Sequence, residues 1–166
     1  MSDTNLDIEK LKNLQFKIMK DVAASALIPL MRIGDQLGLF QKLSELGPIN
    51  SKKFAEEARV DERYLREWLY ALSATDFVSY DGAKEEFSLS PEQKAVFADE
   101  EGPANMMGAY EVLAGQVYAE EKVLDAFKTG KGVAYENACP LCFTGTARFF
   151  KPSYHCLLYT SDAADD

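Results

Sequence analysis

Several shortages narrow what this chain can be. No apolar run approaches the roughly 20 residues that a bilayer span needs, and the opening Met1-Ser2-Asp3-Thr4-Asn5 lacks the basic-then-apolar order of a secretory leader. A cytoplasmic protein with no membrane contact is the expectation. Positive charge is scarce: 18 Lys and Arg face 27 Asp and Glu, a formal net charge of −9. Affinity for nucleic acid comes largely from cations that displace counterions at phosphates, so such a chain starts as a poor polyanion ligand. Histidine is nearly absent, with His155 alone. Of three cysteines, Cys139 and Cys142 form a C-x-x-C pair that lacks both the second pair or histidines of a zinc site and the βαβ setting of a redox motif. Two incidental reduced thiols outweigh a redox centre, and no metal is expected. Finally, no glycine-rich loop follows a strand. Gly102, Gly108 and Gly115 fall within or just before a helix, and Gly130-x-Gly132 follows one. With no βαβ unit in residues 1–155, the chain should not hold a nucleotide-type cofactor by itself.

What is present reads as an ordinary globular domain: 166 residues, 47% hydrophobic and 27% charged, enough to bury a real core. A first helix is predicted from about Leu6 to Leu27, where Leu11, Leu14, Ile18 and Val22 recur at helical spacing with lysines opposite. Its single apolar stripe packs either on a partner chain or on its own domain. Pro29 interrupts that pattern; a second helix resumes at Leu30, breaks near Gly38 and stops at Gly47-Pro48. Ile49 and its neighbours could form one short strand. Ser51 caps a brief helix, Asp61 caps the next, and Leu65, Trp68, Leu69 and Leu72 line its inner face. Phe77–Tyr80 and Glu86–Leu89 alternate around Asp81-Gly82 as a hairpin, and Ser90-Pro91 opens another short helix. Asn105 caps one long helix to about Lys128, with Met106, Tyr110, Leu113, Val117, Leu124 and Phe127 on its apolar face. The chain is irregular from Thr129 to Pro140, and Gly145–Phe150 suggests a further helix troubled by Pro152.

Helix, short strand, helix, helix, hairpin is the order of a winged helix-turn-helix. The fold class is therefore mainly α: a winged helix with a small β-hairpin, a long N-terminal helical arm and a long C-terminal helix. The motif invites a transcription regulator, but the helix that would enter the major groove begins Asp61-Glu62-Arg63-Tyr64 and places carboxylates where phosphates would lie. The wing, from Tyr80 to Glu86, is acidic on balance, and Lys52, Lys53 and Arg59 form the only basic cluster. No nucleic-acid partner is expected. A winged-helix regulator or a protein-interaction module is the alternative reading.

Three segments carry a more specific likeness: Ile28–Phe40, Arg63–Leu69 and Leu124–Val133, followed by Gly145-Thr146-Ala147-Arg148-Phe149-Phe150-Lys151-Pro152-Ser153-Tyr154. Together they resemble the N-terminal part of class I S-adenosylmethionine-dependent methyltransferases with a winged-helix dimerisation domain. The last segment resembles the link into the Rossmann-like catalytic domain in a small-molecule methyltransferase subgroup. The resemblance implies a homodimer through the N-terminal helices, a small-molecule substrate, and S-adenosylmethionine in the parent protein but not on this fragment. It implies a helical dimerisation arm at 1–47, a winged helix at 48–98, a lid helix at 99–130 and a linker at 131–155 toward a missing catalytic domain. By the same resemblance Arg148, Phe149 and Tyr154 border the cofactor, while Met106, Met107 and Tyr110 roof the substrate pocket. Phe149 and Phe150 could equally anchor the link, and the Met106 group could equally be helix core. No catalytic residue is expected in this chain. Residues 156–166, Cys-Leu-Leu-Tyr-Thr-Ser-Asp-Ala-Ala-Asp-Asp, resemble the translation of a sequencing adapter, which makes His155 uncertain and sets the tail outside fold reasoning.

Overall fold

The computed structural model describes the backbone of residues 6–162 and the side chains of that span apart from 153 and 155–162. The adapter-like tail at 156–166 and His155 therefore lie, in all but the helical backbone up to Asp162, outside the described residues. Nine α-helices, one short 3₁₀ turn and one two-stranded antiparallel hairpin make up the described elements.

The arm comes first. Helix α1 (Ile8–Ser25) starts at Asp7, whose carboxylate accepts from the amides of Glu9 and Lys10, and it buries no residue. After Ala26 the chain turns into α2 (Leu27–Gln36). Pro29 does not interrupt this helix, contrary to the sequence expectation. It occupies the first turn, where the backbone N–H has no helical partner to lose. Gly38 breaks the run as expected: at φ +64 it takes the left-handed conformation that admits a sharp entry into α3 (Leu39–Leu46).

The winged helix follows. Ile49 makes a single bridge to Phe87. Helix α4 (Ser51–Ala58) is capped by Asn50, not Ser51 as expected, because the Asn50 side chain accepts from the Lys53 amide. Ser51 sits one position further in and donates to Glu62 across the turn at 2.8 Å. Asp61 caps α5 (Glu62–Ser73), which carries its buried face of Leu65, Trp68, Leu69 and Leu72 into the core. Strands β1 (Ser79–Asp81) and β2 (Glu86–Ser88) pair Tyr80 with Phe87. A capping box between Ser90 and Gln93 then starts α6 (Pro91–Phe97).

One core holds these pieces. Met31, Leu39, Phe40, Leu43, Phe54, Leu69, Leu72, Val78 and Phe87 lie together in it, fully or almost fully buried. Phe40 meets Trp68 edge-on with ring centroids 5.2 Å apart, and the indole N–H donates to the Leu30 carbonyl at 2.8 Å. Gly34 makes room for that ring, since a Cβ there would lie 2.4 Å from Trp68 Cζ2.

The expected single helix from Asn105 to Lys128 is two helices, α7 (Met107–Tyr118) and α8 (Glu120–Thr129), divided at Ala119. The expected stripe is not the buried face: Leu113, Val117, Leu124 and Phe127 are exposed, whereas Met107, Gly108 and Gly115 are buried. The face turned inward is the small-residue one, a pattern that hydrophobic periodicity does not reveal. Past a 3₁₀ turn at Tyr135–Asn137, α9 (Pro140–Asp162) packs along α7 and carries Pro152 within it.

Candidate functional site

The α7–α9 pair, and the way it sits on α2, gathers most of the residues singled out by the sequence. Asn105, only 6% exposed, accepts from the Met107 amide at 3.0 Å and donates to the Asp99 carbonyl at 2.9 Å, which fixes the entry to α7. From there α7 and α9 approach backbone to backbone. A Cβ on Gly108 would lie 2.5 Å from the Phe149 nitrogen, and one on Gly145 would lie 2.7 Å from the Val112 nitrogen. Gly115 meets Cys142 in the same way, with Sγ 2.7 Å from a Cβ there. Cys142 is thus a packing residue on this crossing, and Cys139 stands just before α9 as a second free thiol.

Arg148 projects from α9 into a cluster of carboxylates. Its Nη1 and Nη2 donate to the two oxygens of Asp35 at 2.6 and 2.8 Å, the bidentate fork that guanidinium and carboxylate favour. Nε and Nη2 donate to Glu100 at 2.6 and 2.5 Å. Glu111 lies 3.8 Å from Arg148 and 3.6 Å from Arg32, and accepts from the Thr144 hydroxyl. Hydrogen bonds donated to Asp35, then to Glu100, raise the already high pKa of the guanidinium further against the opposing effect of burial. Arg148 is therefore a permanent cation here, with four of its five N–H groups given to these two acids.

The other expected site residues spread around this cluster. Phe149 is half-buried, against Phe150 at 5.1 Å and over Gly108, while Tyr154 is 60% exposed. Met107 is entirely buried in the common core, Tyr110 packs against that core, and Met106 is 42% exposed at the head of α7. Burial raises the Tyr110 phenol above its ordinary 10.0, so it stays protonated and can donate. Sequence reasoning missed Asp35, Glu100 and Glu111, which reach Arg148 from three different segments. An Arg32–Asp35 pair inside an apolar helix was the only local signal.

Two surfaces remain. An apolar hollow of about 740 Å³ opens between α2, α7, α8 and α9, lined by Ile28, Leu113, Val117, Leu124, Phe127 and Cys142. Elsewhere α5 presents Arg63 and Glu67 to solvent, and ties Arg66 to Glu62 at 3.1 Å, so one of its two arginines is already neutralised. Among the described residues no group of acids, cysteines or histidines could hold a metal, and no helix is long and apolar enough to cross a membrane.

Residues 23–98 match the family model of the Rv2258c-like winged HTH domain. Among solved structures, a Nostoc punctiforme protein assigned as an O-methyltransferase superposes with TM-score 0.53 at 17% identity, over 90% of this chain and 43% of its own. Human N-acetylserotonin methyltransferase, solved in complex with SAM, gives TM-score 0.58 at 14% identity, over 92% of this chain and 44% of its own. The N,N-8-amino-8-demethyl-D-riboflavin dimethyltransferase of Streptomyces davawensis gives 0.53 at 19% identity, over 92% and 46%. No curated protein sequence matches the chain. The chain spans less than half the length of each of these solved proteins. Residues 23–98 are accordingly similar to the Rv2258c-like winged HTH domain, in a chain whose fold is similar to that of one portion of each of these solved proteins.

Proposed function

We propose that this chain is the dimerisation and substrate-cleft portion of an S-adenosylmethionine-dependent methyltransferase that acts on a small molecule. The observation that carries the reading is the superposition of about nine-tenths of the chain on less than half of each solved methyltransferase. The described residues do not by themselves fit a methyl-donor site. Their one sheet is an antiparallel hairpin, Arg148 is engaged by carboxylates, and Tyr154 stands in solvent. In this proposal the donor is held by a Rossmann-like region beyond these residues, where the site excludes water and aligns the methyl group with its acceptor. Met106 and Tyr110 face the substrate from the head of α7, Met107 supports them from the core, and Phe149 and Tyr154 lie on the approach to the donor.

Assembly is the second element of the proposal. Leu14, Phe16, Ile18, Met19 and Val22 leave α1 more than half exposed along its length, and a second copy covering this face would remove that apolar surface from water. A cytoplasmic setting belongs to the same reading. The alternative, a regulator that reads DNA through α5, keeps the family match but has to place Glu62 and Glu67 against phosphates.

Calorimetric titration with S-adenosylmethionine tests the assignment. This chain alone is expected to show no saturable binding, and a longer reading frame that includes the region after Tyr154 is expected to bind one donor per chain. Stoichiometric capture by this chain alone, or none by the longer protein, would overturn the proposal. Retention on duplex DNA at low salt tests the alternative and is expected to be negligible.

A further inference from the structure

The sequence resemblance places Arg148 beside a cofactor, yet its guanidinium is turned into the protein. Helix α9 packs almost wholly on α7, and α7 in turn sits on α2. Among the described residues, Arg148 and Lys151 tie α9 to the winged-helix body. Lys151 pairs with Glu101 at 2.6 Å, but the two side chains are 44% and 70% exposed, and pairs of that kind contribute little. Arg148 is different in burial and in geometry: it is 21% exposed and Asp35 is 9% exposed, with two parallel bonds between them and two more to Glu100. Asp35 closes α2, Glu100 lies in the loop between α6 and α7, and Arg148 joins both to α9.

We propose that Arg148 is a positioning residue whose forked guanidinium clasps Asp35 and Glu100, fixing the seat of the α7–α9 pair on the winged-helix body and so the direction in which the chain leaves it. The charges give the clasp a sense. Asp35, Glu100 and Glu111 surround Arg148, and Arg32 is a second cation paired with Asp35 and Glu111. Without Arg148, Asp35 on α2 would face Glu100 in the α6–α7 loop and Glu111 on α7, and their repulsion would push α7, with α9 on it, away from α2. The glycine crossing would keep α9 on α7, so the pair would swing as one unit. This inference is independent of the methyltransferase reading, because every group in it belongs to this chain.

The experiment measures distance rather than stability. Spin labels at Glu45→Cys on α3 and Thr146→Cys on α9, both exposed, are placed in a background in which Cys139, Cys142 and Cys156 are serine. Pulsed dipolar spectroscopy should then give one narrow distribution. Arg148→Met keeps the aliphatic stem and removes the fork, and the distribution is expected to widen about twofold or more, with its mean moving outward. Arg148→Lys is expected to widen it as well, since one ammonium cannot serve two carboxylates in the planar geometry of the fork. A parent-like distribution in Arg148→Met, even with a lowered melting temperature, would reduce Arg148 to an ordinary stabilising contact and overturn the proposal. Parent-like behaviour in Arg148→Lys would overturn the fork. Should Arg148→Met fail to fold, Glu100→Gln removes one charge of the clasp at a 40% exposed position. It should widen the distribution to a lesser degree, and no change there would likewise overturn the proposal.

Discussion

The winged-helix body and helix α1 both carry apolar side chains at helical spacing, and they treat them in opposite ways. From Leu39 to Phe97 those side chains close on one another: Phe40 touches Trp68 and Phe97, and Phe77 touches Phe97, all with ring centroids within 5.4 Å. Along α1, Leu14, Phe16, Ile18, Met19 and Val22 each stay more than half exposed. An amphipathic pattern thus specifies that a helix has an apolar face but not whose surface covers it. A body that buries its own core stands by itself, whereas a helix with no buried residue draws its stability from elsewhere.

The sharpest way to break this contrast is to injure the body. Leu69→Ala removes a fully buried side chain from the centre of the core and is expected to cost about 2–5 kcal/mol in urea unfolding followed by Trp68 fluorescence. A loss below about 1 kcal/mol would mean that the body is loosely packed and that the contrast with α1 fails. Next comes the α7–α9 crossing. Gly108→Ala pushes a methyl against the backbone of Phe149, where no side chain can rotate away, and is expected to cost about 1–3 kcal/mol by the same assay.

Changes on α1 should do the reverse, leaving the body alone. Ile18→Asp, at a 52% exposed position, is expected to alter unfolding by no more than about 0.5 kcal/mol. Sedimentation velocity should at the same time show weaker self-association, by about tenfold for a charge placed in an apolar contact. A large loss of fold stability with unchanged association would show that α1 covers its own domain.

The smallest effect lies in the wing. The Ala83 backbone amide, then Lys84, hold the Asp81 carboxyl below its ordinary 3.8. A folded-state pKa below the unfolded one stabilises the folded wing at pH values above that ordinary range and withdraws the support as pH falls through the folded pKa. An NMR titration of Asp81 should find its midpoint below 3.8, and Ala83→Pro, which removes the donating N–H, should move it upward.

How much of this was legible in the sequence follows from the range of each interaction. The winged helix was, because its signals are local: Asp61 and Ser90 cap the helices expected of them, the Leu65–Leu72 stripe is the buried one, and the hairpin falls between Phe77 and Leu89. Its errors were single-residue ones, such as Asn50 taking the cap from Ser51. The α7–α9 region was not, because its organising residues are glycines, which carry no hydrophobic period, and partners such as Asp35 and Arg148 that are 113 positions apart. An apolar stripe from Met106 to Phe127 reads as one face of a single helix; the chain instead divides at Ala119 and turns most of that stripe to solvent. Arg148 was found as a residue of interest, but its pairing is a tertiary fact.

Gly108 and Gly115 stand seven residues apart, close to two full turns of an α-helix. Inserting or deleting one residue between them would rotate one glycine by about 100° off the crossing and bring a side chain under α9 instead. Length in this stretch is therefore less negotiable than identity: the outward side of α7 can change its chemistry freely, while the spacing between the two hydrogens that face inward works like the pitch of a gear tooth.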